Sequence, residues 1–148
     1  PGSFTEIRAT LRKLHGVAVP DGGPVPEKDV VYNMKAHRTA FLAFLKFLRR
    51  NLSAQTGVRT DAAWASQLSL LQGMSEFGVP DVVCREHGLR GDLARLAGQI
   101  GRTAMPDLPE VTDPFADRLA AIYDSIVEQA ARDAYQRDYE SFGFGSLT

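Results

Sequence analysis

Residues 38–52 read RTAFLAFLKFLRRNL. Phe41, Phe44, Leu45, Leu48 and Leu52 recur at three- and four-residue steps, the spacing that places side chains on one face of an α-helix. Leu42 and Phe47 widen the stripe, and a helix this apolar needs cover on more than one side. Arg49 and Arg50 stand near its C-terminal end, where the helix dipole favours cations. The apolar run Ala40–Leu48 has nine residues and contains a lysine. A membrane span needs about 20 such residues.

Upstream, SFTEIRATLRKLHG (residues 3–16) carries Ile7, Leu11 and Leu14 on one face, and Gly16 reads as its stop. Ser3 and Glu6 have the spacing of a capping box. Residues 17–29, VAVPDGGPVPEKD, hold three prolines and two glycines and read as a loop or ordered linker. The opening Pro1-Gly2-Ser3, without methionine, reads as a cloning remnant and is set aside.

Downstream, ASQLSLLQGMSEFG (65–78) has Leu68, Leu71 and Met74 in helical phase and is closed by Pro80. DVVCR (81–85) is short, β-branched and bounded by Pro80 and Gly88, so a strand is expected there. LRGDLARLAGQIG (89–101) returns to helix through Leu89, Leu93, Leu96 and Ile100, although Gly91 and Gly98 each cost about 1 kcal/mol against alanine. RTAMPDLPEVTDP (102–114) is loop. Asp113 and Pro114 then supply an N-cap and a first-turn proline for the longest helix, through Phe115, Leu119, Ile122, Ile126, Ala130, Ala134 and Tyr135. It ends at Gly143 and Gly145.

The expected fold is therefore mainly α, with about five helices and at most one short strand, in a single domain over residues 4–148. With 44% hydrophobic residues the 148-residue chain can bury a real core. The net charge of −1, with 24% charged residues of both signs, argues against a nucleic-acid or anionic-membrane surface as the main business. The one cysteine, Cys84, excludes an internal disulfide framework and a cysteine-based zinc cluster. It fits a reducing compartment, and a cytoplasmic location is expected.

His15, His37 and His87 lie far apart with no partner at i+3 or i+4, so no metal site is expected. Cys84 sits in an apolar run and reads as a small core residue rather than a thiolate nucleophile. PDGGPVP has glycines but no lysine-bearing helix after it, so it is not a phosphate cradle. Trp64 and Gln67 share one side of a helical turn. Such a tryptophan is most often a core or interface anchor, and the sharper alternative is a pocket wall. Arg85 and Glu86 stand at the end of the expected strand, either as a charged terminus packing on neighbouring helices or at the carboxyl edge of a sheet that lines a ligand crevice.

The order of these pieces resembles the C-terminal half of the carbohydrate-type sulfotransferases. In that family an Asp/His-Trp-x-x-Gln element precedes a short strand and helix, and a long helix closes on Tyr-x-x-Asp-(Tyr/Phe)-x-x-Phe-Gly-(Tyr/Phe). The matching positions are Trp64 and Gln67, then Asp81, Val83, Arg85, Glu86, Leu89, Asp92 and Leu93, then Tyr135, Asp138, Tyr139, Phe142, Gly143 and Phe144. They span about 105 of the 148 residues. The chain departs from the pattern at Ala63 and Ser66, where the family often has histidine and proline, and Glu86 follows Arg85 directly.

The resemblance implies the helical, acceptor-side part of a P-loop-like α/β sulfotransferase domain. That enzyme moves a sulfuryl group from 3′-phosphoadenosine 5′-phosphosulfate (PAPS) to a hydroxyl or amine of a carbohydrate-like acceptor. Trp64, Gln67, Arg85 and Glu86 would then be the substrate-side residues, with the catalytic group unassigned. PAPS carries several negative charges and needs a nest of backbone N–H groups with a lysine or arginine. The family's lysine-bearing phosphate loop and its Arg-Asp-Pro…Ser stretch are not found in these residues. The expectation is a chain inactive alone, with PAPS a co-substrate of the complete enzyme and no cofactor of its own. Its donor site would come from an N-terminal segment or a partner chain. The alternative is a non-catalytic helical binding or scaffold module derived from that family, able to form a homodimer through the 82–83 edge.

Overall fold

The computed structural model describes residues 2–17, 19, 33–75, 77–78, 80–102, 108, 113 and 115–146, the side chains of 2–4, 75 and 87 excepted. The chain divides into two compact units. Unit one is Pro1–Gly73 with Phe115–Thr148, and unit two is Met74–Pro114.

Seven α-helices form among the described residues. They are α1 (Gly2–His15), α2 (Met34–Leu52), α3 (Gln67–Ser75), α4 (Leu89–Gln99), α5 (Ala116–Ile122), α6 (Ser125–Ala134) and α7 (Gln136–Phe142). A single 3₁₀ turn, Glu86–Gly88, precedes α4. The mainly α expectation holds, with more helices than expected. No helix among the described residues is long and apolar enough to cross a membrane.

Helix α2 is the centre of unit one, and it packs on α1, α5 and α6. It starts at Met34 because Asn33 caps it, Oδ1 accepting the Ala36 N–H at 3.0 Å. Its most buried residues are Ala40, Ala43, Leu45, Phe47, Leu48 and Asn51. Phe41, Phe44 and Leu52, expected as the stripe itself, are only half-buried. The small side chains of Ala40 and Ala43 make room for a neighbouring helix, and Phe47, which lies on the same side, is buried more deeply than Phe41 and Phe44. Ile7 and Leu11 of α1, Trp64, and Val127 and Ala134 of α6 complete one core with α2. Gly16, at φ 64, closes α1, with the Val17 N–H returning to the Leu11 carbonyl at 3.3 Å.

The expected last helix is three. Tyr123 is extended (φ −79, ψ 123), and Asp124 caps α6 by accepting the Ile126 and Val127 N–H groups, each at 3.0 Å. A second break falls at Tyr135. Helix α5 starts at Ala116 with Phe115 before it, so Asp113 is not its N-cap. Pro114, the Ser3 side chain and most of the 17–29 and 102–114 loops lie outside the described residues.

In unit two, residues 81–85 are not a strand. They run without a β-ladder partner among the described residues, and an unpaired strand cannot satisfy its backbone groups in a sheet. The expected exposed edge at 82–83 is therefore not a sheet edge. Cys84 is half-exposed rather than a core residue. Helix α4 has no fully buried side chain, and Met74, Phe77, Val83 and Ile100 are 61%, 94%, 51% and 74% exposed.

Candidate functional site

Two polar knots hold the segment between α2 and α3. The first is the Asn51 amide, 3% exposed at the end of α2. Its Nδ2 donates to Thr56 Oγ1 at 2.7 Å and to the Val58 carbonyl at 2.6 Å. Its Oδ1 accepts from Thr60 Oγ1 at 3.1 Å and from Trp64 Nε1 at 3.0 Å. One side chain thus uses its whole hydrogen-bonding capacity to shape the segment from Asn51 to Trp64, 13 positions further on.

The second knot is Asp138, 3% exposed on α7. Its Oδ1 accepts from Ser66 Oγ at 2.7 Å and from the Leu68 N–H at 3.0 Å, and its Oδ2 accepts from the Gln67 N–H at 2.9 Å. Ser66 also accepts the Ser69 N–H at 3.2 Å. The first amides of α3, which a helix cannot satisfy internally, are met by a carboxylate from the far end of the chain. Tyr135 Oη donates to the Trp64 carbonyl at 3.0 Å. Burial, then the charge of Asp138, raises the Tyr135 phenol above its ordinary value.

The C-terminal aromatics finish this end. Gly143 takes the left-handed conformation (φ 60) that ends α7, its N–H returning to the Tyr139 carbonyl. That turn places Phe144 edge-on to Tyr139 at 5.8 Å and beside Phe142 at 5.6 Å.

A third cluster surrounds Glu128, which is 8% exposed. Tyr123 Oη donates to its Oε2, and Arg132 approaches its Oε1 at 3.3 Å while lying over the Tyr139 ring at 4.6 Å. Burial, reinforced by the hydrogen bond to Glu128, pushes the Tyr123 phenol far above its usual range. Burial, then the Glu128 charge, raises Tyr139. Both carboxylate oxygens are engaged, so Glu128 reads as a structural anchor rather than a general base.

A cleft of about 440 Å³ lies beside these knots, lined by Ser53, Ser66, Ser69, Gln136 and Arg137 among others. A neighbouring hollow of about 490 Å³ is lined by Gln129, Arg132, Asp133, Gln136, Tyr139 and Glu140. Asp133 and Gln136 border both. The first cleft is lined mainly by hydroxyls, an amide and charged groups, and the second mixes such groups with apolar stems.

Of the residues expected at the substrate side, Trp64 is 4% exposed with its ring in the core, so it is an anchor and not a pocket wall. Gln67 is exposed, and its backbone rather than its side chain makes the recorded bond. Arg85 and Glu86 are exposed in unit two, Glu86 opening the 3₁₀ turn. The sequence did not mark Asn51 as the partner of Trp64, nor Ser66 as the partner of Asp138, a contact 72 residues apart with no local signal. No cluster of three metal-ligating side chains occurs among the described residues. His37 is held below its ordinary value by burial and then by the Arg118 charge.

The chain matches no protein-family model, no curated protein and no solved structure.

Proposed function

We propose that this chain is the acceptor-side, C-terminal region of a PAPS-dependent sulfotransferase acting on a hydroxyl or amine of a carbohydrate-like acceptor. One observation carries the reading. The Trp64-x-x-Gln67 element and the closing Tyr135-x-x-Asp138 element are bonded to each other, Tyr135 to the Trp64 carbonyl and Asp138 to Ser66, Gln67 and Leu68. Residues picked out by separate motifs some 70 positions apart thus form one mutually dependent structure. The Ser66 departure from the family's proline has a physical role here, because its hydroxyl donates to Asp138.

On this reading the acceptor lies in the polar cleft beside Ser66, Ser69 and Arg137, and Trp64 supports the cleft from behind. The donor is held by other polypeptide, since these residues include no lysine-bearing phosphate loop. Catalysis would then rest on positioning and electrostatics assembled from both parts, as in phosphoryl transfer.

The test is NMR titration of the 148-residue chain with neutral and amino sugars and with adenosine 3′,5′-bisphosphate. Amide shifts at Ser66, Ser69 and Arg137 with sugars, and none with the nucleotide, are expected. Micromolar nucleotide binding would overturn the division of labour.

A second reading, a non-catalytic binding module, is favoured by the exposed Met74, Phe77, Val83 and Ile100 of unit two. Light scattering decides it: a stable dimer with no sugar response supports the module, and a monomer that responds to sugar supports the acceptor-side reading.

A further inference from the structure

The net charge of −1 conceals a segregation. Helices α1 and α2 carry eight of the 17 lysines and arginines and one of the 18 acidic residues, leaving nine cations against 17 anions elsewhere. The two helices pack on each other within unit one. Helix α2 contains no acidic residue over its 19 positions.

Helical geometry sorts the α2 cations. Lys35, Lys46, Arg49 and Arg50 fall within one arc of about 100°, the gap that the buried arc from Ala43 round to Leu45 leaves open. From Lys35 to Arg50 the row runs about 22 Å at the helical rise. Two cations at its border are drawn inward, Arg38 to Asp124 at 2.6 Å and the more exposed Arg49 to Asp133 at 3.4 Å. Lys35, Lys46 and Arg50 are exposed with no acidic partner among the described residues, as are Arg12 and Lys13 of α1.

We propose that this face docks the protein on an anionic lipid surface, with the Lys35–Lys46–Arg50 row toward the headgroups. The proposal is independent of the sulfotransferase reading. Polybasic surfaces gain attraction for each lysine or arginine brought near anionic lipid, within about a Debye length, some 8 Å. Asp124 and Asp133 engage Arg38 and Arg49 at the border of the row and leave Lys35, Lys46 and Arg50 to carry the attraction. Other polyanions fit less well. The aromatic residues of α2 are buried or half-buried, so α2 presents no exposed ring to stack a base or a sugar. A helix with six buried residues does not stand clear of its unit to enter a DNA groove. Exposed apolar Leu14 and Met34, 59% and 49% exposed, each adjoin a lysine in sequence, a pairing suited to the headgroup boundary.

The test is co-sedimentation of the 148-residue chain with phosphatidylcholine vesicles, with and without about one-third phosphatidylserine. Binding to the anionic vesicles alone is expected, lost at about 0.5 M salt where screening is short-ranged. The triple variant K35E/K46E/R50E should bind at least about tenfold more weakly. R90E/R95E/R102E, with the same charge change in unit two, should bind as the parent does. Unchanged Trp64 emission shows that unit one is folded in both. Equal binding to uncharged vesicles, equal loss in both variants, or binding to heparin or a DNA duplex but not to vesicles would each overturn the proposal.

Discussion

The Asp138 carboxylate caps the helix that Gln67 opens, 71 residues earlier in the chain. Helix caps are ordinarily local, supplied by the residue just before the first turn. Here the local cap, Ser66, is itself held by the remote one. The start of α3 and the position of α7 are therefore one structural variable.

Replacing Asp138 by alanine should strand three buried or half-buried donors. The expected loss is about 2–4 kcal/mol, since hydrogen bonds to charged groups weigh more than neutral ones. Asp138→Asn, which keeps one acceptor oxygen, should lose less. Urea unfolding followed by Trp64 emission measures both, and an alanine variant as stable as the parent would refute the remote cap.

Asn51→Leu keeps the volume but removes every bond of the first knot. The Trp64 indole N–H would then lack its partner inside the core. A loss of about 2–4 kcal/mol is expected, with a change in tryptophan emission before the main unfolding transition. Thr56→Ala, which removes only one acceptor of Asn51, should cost about 1 kcal/mol.

Asp124 links the N-terminus of α6 to Arg38. The Val127 N–H, with Arg38 beside it, holds its carboxyl below the ordinary carboxylate value. A lowered folded-state value means that the stabilisation is present above the unfolded-state value, near 3.9, and is lost as pH falls through the folded one. Asp124→Asn keeps the capping oxygen and deletes the charge. The stability gap between variant and parent should be open at pH 7 and close on acidification below about pH 4. A gap independent of pH would exclude the ionised carboxylate as its source.

Ala54 follows α2 at φ 57, a left-handed conformation that costs a residue with a Cβ about 1 kcal/mol or more. Glycine reaches it freely but loses more freedom on folding. Ala54→Gly should be net stabilising by about 0.5–1 kcal/mol, read as a rise in the urea midpoint with unchanged slope.

The helical class was legible because α1, α2, α3 and α4 each carry a periodic apolar face within a single run of chain. Their depth order was less so. Phe47 outranks Phe41 and Phe44 because burial follows the alanine side that a neighbour can approach, a property of two helices rather than one. The break at Asp124 was hidden because apolar spacing continues across it, while the competing signal is one aspartate able to cap. The strand at 81–85 failed because β-branched residues state a preference, whereas a strand also requires a partner. At the candidate site the motif positions stood out one by one. Which of them touch, and that Trp64 faces inward, depended on tertiary packing.

The remote cap also sets an order on synthesis. At about 5–20 residues per second, some 4–14 seconds separate the emergence of Gln67 from that of Asp138. Until then the nascent α3 has its opening amides facing water, and the aromatic at Trp64 lacks the tyrosine that fastens its carbonyl. The amino-terminal half therefore waits on the carboxyl-terminal tail, and a ribosome paused between them would hold a chain whose first helices are made but whose middle has nothing to close upon.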